Sequence, residues 1–136
     1  MIYLTRRERF SAAHRMFNPE LSDAKNMEVY GLCSNPEWHG HNYIIYVTVK
    51  GEINPDLGYV INLKKLKEII KREVIDKLDH KNLNTQVDFL QDVLISTENI
   101  AISIWNVLMD PVRKEGAELH CVKIEETENN FIEYYG

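Results

Sequence analysis

The sequence predicts an α+β domain in which an antiparallel four-stranded sheet carries two helices on one face. Three observations carry that prediction. Tyr43, Ile45, Val47 and Val49 continue the parity of His39 and His41 over His39–Lys50, and Phe10, Ala12 and His14 share one parity at the end of Ile2–His14. That is the period of half-buried strands. Apolar residues recur instead at three- and four-residue spacing from Leu63 to Leu78 and again after Ser96, the period of amphipathic helices. The end of the chain, Glu118–Glu126 and Asn130–Tyr135, reads as a hairpin turned at Glu128-Asn129-Asn130.

The first strand carries an apolar face that ends in His14. A polar connection from Arg15 to Glu37 follows, with Pro19, Gly31 and Pro36, and Asp23–Tyr30 is expected to form a short helix inside it. A loop this long in a small domain is usually functional or disordered; since it leads directly to Cys33, function is expected. The second strand, His39–Lys50, ends in turn chemistry between Gly51 and Gly58. Asn62 is placed as the N-cap of the first long helix. Leu63, Leu66, Ile69, Ile70, Val74 and Leu78 form its dry face, and Lys64, Lys65, Lys67, Glu68, Lys71 and Arg72 its wet one. Ser96 or Thr97 caps the second, which buries Ile100, Ala101, Ile104, Val107 and Leu108 and ends before Pro111 and Gly116. In the late strand His120, Val122, Ile124 and Glu126 share one parity, while Leu119, Cys121, Lys123 and Glu125 share the other. Glu126 thereby lands on a largely apolar face, where a carboxylate requires partners. His120 belongs to no motif and is read as structural. No repeat or linker interrupts residues 1–136, which are expected to form one domain. So small a sheet leaves open edges that assembly could cover.

Of the 136 residues, 44% are hydrophobic, an ordinary share for a globular protein. A net charge of −5 and a pI near 5.5 argue against a general nucleic-acid surface. No stretch is long enough to cross a bilayer, and Met1-Ile2-Tyr3-Leu4 followed by Arg6 and Arg7 lacks the apolar region of a secretory signal. A cytoplasmic protein is expected, with Cys33 and Cys121 as free thiols.

The chemistry concentrates between Cys33 and His41. Side chains at i and i+2 of a strand point to one face, roughly 6.5–7 Å apart along the backbone. His39 and His41 can therefore converge on one ion, with Gly40 on the other face giving local freedom. His14 supplies a third imidazole. Three neutral imidazoles with one position left open suit a catalytic zinc rather than a structural one. Cys33 is either a general base, its thiol tuned by nearby positive charge, or a fourth metal ligand that closes the site. Asp79-His80 is either a carboxylate orienting an imidazole for proton transfer or a solvated residue beside a helix-end charge.

Phe10-Ser11-Ala12-Ala13-His14, Leu21-Ser22-Asp23, Cys33 followed after five residues by His39-Gly40-His41-Asn42-Tyr43, Leu78-Asp79-His80-Lys81-Asn82-Leu83, Ser96-Thr97-Glu98-Asn99 and Glu126-Thr127 occur in that order. The ordered set spans nearly the whole chain and resembles the 6-pyruvoyl-tetrahydropterin synthase family. The resemblance implies the tunnelling fold (T-fold), with trimers joining their sheets into a barrel and two trimers stacking into a homohexamer. It implies Zn2+ on His14, His39 and His41, Cys33 as the base, and Asp79 and His80 completing a triad with the cysteine across a subunit boundary. It places Glu126 as the pterin anchor, since a pterin's N3–H and 2-amino group present two donors to one carboxylate. Ser96 and Thr97 match positions lining the pterin site, with Ser-Thr where the family usually has Thr-Thr. Glu98 is read as first-turn helix chemistry. The implied activity is a zinc-dependent lyase that converts 7,8-dihydroneopterin triphosphate to 6-pyruvoyl-tetrahydropterin and releases triphosphate. Close relatives make 6-carboxytetrahydropterin on the route to queuosine from the same substrate, typically with three residues between Cys and His-Gly-His; the five found here favour the pyruvoyl product. A zinc-holding module that binds a pterin without turnover is the reading from another class, and the retention of Cys33 and Asp79-His80 argues against it.

Overall fold

A computed structural model describes all 136 residues. The chain runs β1 (Ile2–His14), α1 (Asp23–Tyr30), β2 (His39–Gly51), α2 (beginning as Leu63–Ile70), β3 (Lys81–Asn82), α3 (Thr97–Lys114), β4 (Glu118–Glu125) and β5 (Phe131–Tyr134). The sheet has five strands in the order β3-β1-β2-β4-β5. It is mixed, because β3 runs parallel to β1 while the other pairs are antiparallel. The expected four-stranded antiparallel sheet is corrected on both counts, while the two long helices are joined by the short α1 expected over Asp23–Tyr30, three helices in all. A two-residue strand carries no periodicity to read. It is defined by docking: His80 N–H donates to Ser11 O at 2.7 Å and Leu83 N–H to Ala13 O at 2.8 Å.

Strand parity holds through β1 and β2. Phe10, Ala12 and His14 are buried, as are Tyr43, Ile45, Val47 and Val49. The long pairing puts Phe10 opposite Tyr43, Ala12 opposite His41 and His14 opposite His39. These strands, with Val122 and Ile124 of β4, form one core with Leu66, Ile70 and Val74 of α2 and Ile100, Ile104 and Leu108 of α3. Truncating a fully buried isoleucine such as Ile104 would cost about 2–5 kcal/mol through lost transfer energy and the cavity left behind.

Parity fails once, in β4. Thr48 pairs with Cys121 but Val49 with Leu119, so His120 is the extra residue of a β-bulge. The bulge moves Leu119 onto the core face and His120 onto the helix-free face, where its ring packs against Tyr3 and Tyr135. The expectation that His120 shares a face with Val122 and Ile124 is therefore corrected.

The helices follow their caps. Asn62 Oδ1 accepts from Lys64 and Lys65 N–H, and Ser96 Oγ accepts from Asn99 N–H, which makes Ser96 rather than Thr97 the N-cap of α3. Ser22 caps α1 through Lys25 N–H. α2 widens into a π-helical turn over Lys71–Ile75 before closing at Asp76–Leu78. α3 continues through Pro111, which was expected beyond its end. Pro111 forfeits one helical hydrogen bond in the last turns, but Val112, buried in the core, keeps that turn packed.

Candidate active site

β1 and β2 end together, and their paired ends carry the three histidines. Candidate ligand atoms of His14, His39 and His41 all lie within 4.8 Å of one another. His14 is held most firmly, with its Nδ1–H placed to donate to Ile95 O at 3.0 Å, which leaves Nε2 facing the cluster. A backbone carbonyl on one ring nitrogen fixes tautomer and orientation for ligation through the other. His14 Nε2, both ring nitrogens of His39 and His41 Nε2 are buried without hydrogen-bond partners. Burial, reinforced by the neighbouring imidazoles, holds His14 and His39 below the ordinary imidazole pKa, with Ile95 O opposing at His14. Buried, unpartnered ring nitrogens facing one another are the donor set that a zinc-type ion takes, so the residues fit the implied metal. Cys33 lies outside this cluster.

Gly40 separates the two histidines of β2 for a steric reason rather than for freedom. A Cβ there would sit 3.0 Å from Ala12 O, so the glycine lets the strands approach where the histidines are mounted. Trp38, just before His39, takes a left-handed φ of 69°.

The long loop presents Cys33. The thiol, free and half-buried, lies in a 3-10 turn over Gly31–Ser34. Met16 N–H donates to Cys33 O at 2.8 Å, and Arg15 Nε and Nη2 both donate to Ser34 O, at 3.2 and 2.9 Å. The Arg15 guanidinium also lies over the Phe17 ring, 4.1 Å from its centroid. Buried Asn26 braces the loop, donating to the carbonyls of Asn18, Leu21 and Ser22 and accepting from Asn18 N–H. These contacts hold the loop that leads into Cys33. Arg15 had no periodic signal to mark it.

Glu126 follows β4 directly and is half-buried. One carboxylate oxygen accepts from the Thr97 hydroxyl, and the other lies 3.8 Å from His41 Nε2. Thr97, Glu98 and Glu126 line a cavity of about 330 Å³ with Met16, Asn130 and Phe131. Glu98 thus reaches the cavity wall from the first turn of α3. Ser96 spends its hydroxyl on the helix cap. Glu125 is 3.8 Å from Lys123 and outside that cavity.

Asp79 and His80 form a tight pair elsewhere. His80 Nδ1 is 2.9 Å from Asp79 Oδ2, and Asp79 Oδ1 accepts from Ser11 N–H at 2.9 Å. That backbone hydrogen bond, with His80 adding, lowers the Asp79 pKa. His80 is 84% exposed, has a left-handed φ of 59°, and lines a groove with Ser11, Ala12, Gly40, His41 and Asn42. Within one chain no hydrogen bond joins the pair to Cys33.

Fold and site together define an α+β protein whose sheet mounts three histidines able to hold a metal ion beside a carboxylate-lined cavity. Comparison with known proteins narrows this class. A sequence profile of the 6-pyruvoyl tetrahydropterin synthase family matches residues 3–136. A 6-pyruvoyl tetrahydrobiopterin synthase of Dictyostelium discoideum is 46% identical over 99% of this chain and 96% of its own length. The Homo sapiens protein of the same name is 45% identical, over 98% and 90%. The solved 6-pyruvoyl tetrahydropterin synthase of Caenorhabditis elegans superposes with a TM-score of 0.87 at 39% identity, covering 99% of this chain and 95% of that one. The chain belongs to the 6-pyruvoyl tetrahydropterin synthase family.

Proposed function

We propose that the chain is a zinc-dependent 6-pyruvoyl-tetrahydropterin synthase that takes 7,8-dihydroneopterin triphosphate and releases triphosphate. The observation that carries this reading is the placement of Glu126 beside both Thr97 and His41. A carboxylate that reads the pterin edge would hold the substrate's side chain against the histidine cluster. Relatives 45–46% identical over nearly the full chain bear names for that activity, which supports the same reading.

Zinc held by His14, His39 and His41 would supply Lewis-acid polarisation of the substrate's side-chain oxygens. The reaction needs protons removed beside hydroxyl-bearing carbons, and Cys33 is the group assigned to move them. The contacts from Arg15 and Met16 fix the turn that aims its thiol. Asp79 orients His80, whose exposure leaves it available to the Cys33 of another copy, as the family's subunit-bridging triad and hexameric assembly would require. Glu126 binds the ring, with Thr97 fixing the carboxylate's rotamer. Incubation of metal-loaded protein with 7,8-dihydroneopterin triphosphate, with products read by mass spectrometry, tests the proposal. The pyruvoyl product and triphosphate are expected; 6-carboxytetrahydropterin or unchanged substrate would overturn it.

A further inference from the structure

The buried side-chain nitrogens and oxygens that lack a hydrogen-bond partner all belong to four residues: His14, His39, His41 and Tyr43. A metal accounts for the imidazole nitrogens. It leaves the Tyr43 hydroxyl unexplained, and a buried polar atom without a partner calls for a reason. The Tyr43 ring is fully buried, stacked on Phe10 with centroids 4.9 Å apart, and meets the His41 and His14 rings edge-on at 5.4 and 6.0 Å. Phenylalanine would keep all of this packing and remove the orphaned hydroxyl. The free protein therefore retains a group that its own fold does not satisfy.

The geometry points to Tyr43 Oη as a further substrate-binding group, one that donates a hydrogen bond to a side-chain oxygen of the pterin substrate when that side chain enters the histidine cluster. A phenol hydroxyl is a donor, and imidazoles that hold a metal have no lone pair left to accept from it, so an oxygen of the ligand can supply the acceptor that the histidines cannot. The assignment deepens the pterin reading and rests on it. It predicts that the hydroxyl contributes to binding of the trihydroxypropyl side chain and nothing to stability of the free protein.

The test compares wild-type and Tyr43→Phe protein, both metal-loaded, by calorimetric titration with neopterin and with pterin lacking the 6-side chain, and by thermal unfolding without ligand. Neopterin affinity should fall roughly three- to tenfold in Tyr43→Phe, the equivalent of one neutral hydrogen bond. Affinity for unsubstituted pterin should stay unchanged, metal content should match wild type, and the ligand-free melting temperature should be equal or higher. A melting temperature lowered by several degrees would mean that a buried water or another internal partner satisfies the hydroxyl, and would overturn the assignment. Equal neopterin affinity in both proteins, or equal losses for both ligands, would overturn it while leaving the pterin reading standing. Failure of wild-type protein to bind either ligand would overturn the pterin reading and this assignment with it.

Discussion

Glu126→Gln is the sharpest probe of how the site reads its ligand. The carboxylate already accepts from Thr97, so one oxygen is committed and the other, 3.8 Å from His41 Nε2, completes an acceptor face toward the cavity. The amide is isosteric and can still accept from Thr97. Its remaining group becomes a donor, and it would oppose a donor of the pterin edge. A charge-assisted hydrogen bond is worth about 1.5–3 kcal/mol, so pterin affinity should weaken by about tenfold to somewhat over a hundredfold. Glu125→Gln is the internal control, because Glu125 pairs with Lys123 outside the cavity. Calorimetric titration of both variants with neopterin, alongside metal analysis, provides the readout. Metal content should be unchanged in each. The pterin-anchor reasoning would be refuted if Glu125→Gln lost affinity while Glu126→Gln retained it.

The histidine cluster predicts about one metal ion per chain and its loss, together with activity, in His39→Ala; full metal content by elemental analysis in that variant would reject the ligand set. Cys33→Ala should keep the metal while turnover drops by about two to four orders of magnitude, and metal loss would instead make the thiol a ligand. If Asp79-His80 of one chain completes the Cys33 site of another, mixing inactive Cys33→Ala with inactive His80→Ala protein should restore partial activity; none after demonstrated subunit exchange would contradict shared sites. Asp79 titrates below the ordinary carboxyl value of 3.8 because Ser11 N–H binds its charged form. Its stabilisation is therefore complete above that value and disappears as pH falls through the lower folded pKa. Urea unfolding of wild type and Asp79→Asn should differ at pH 7 and converge in acid, and a gap that persists to the lowest pH would reject this account.

Most of the site was legible because its signals are local. The two-residue spacing of His39 and His41 puts both on one face of any strand, and the alternation from Tyr43 to Val49 says which face. His14 ends an equally plain apolar parity. Asn62 and Ser96 announce helix starts because a side-chain oxygen two or three residues before a free N–H needs no tertiary partner. Arg15 was missed because its role is to bind a carbonyl across a loop, and Tyr43 read only as one more apolar-face residue. Its significance lies in a partner that is absent.

The amino-acid sequence by itself determined the alternating and helical segments, their caps, and the residue types that can bind metal or exchange protons. Each depends on spacing within a few residues. Tertiary structure alone decided the parallel pairing of Lys81–Asn82 with β1, the bulge that turns His120 away from the core, and the continuation of α3 through Pro111. It alone docked His80 against Ser11 of β1 and placed Glu126 between Thr97 and His41. These features turn on which distant backbones meet and in what register. That choice is made by burial of the whole core, where one inserted residue in a strand flips every side chain beyond it.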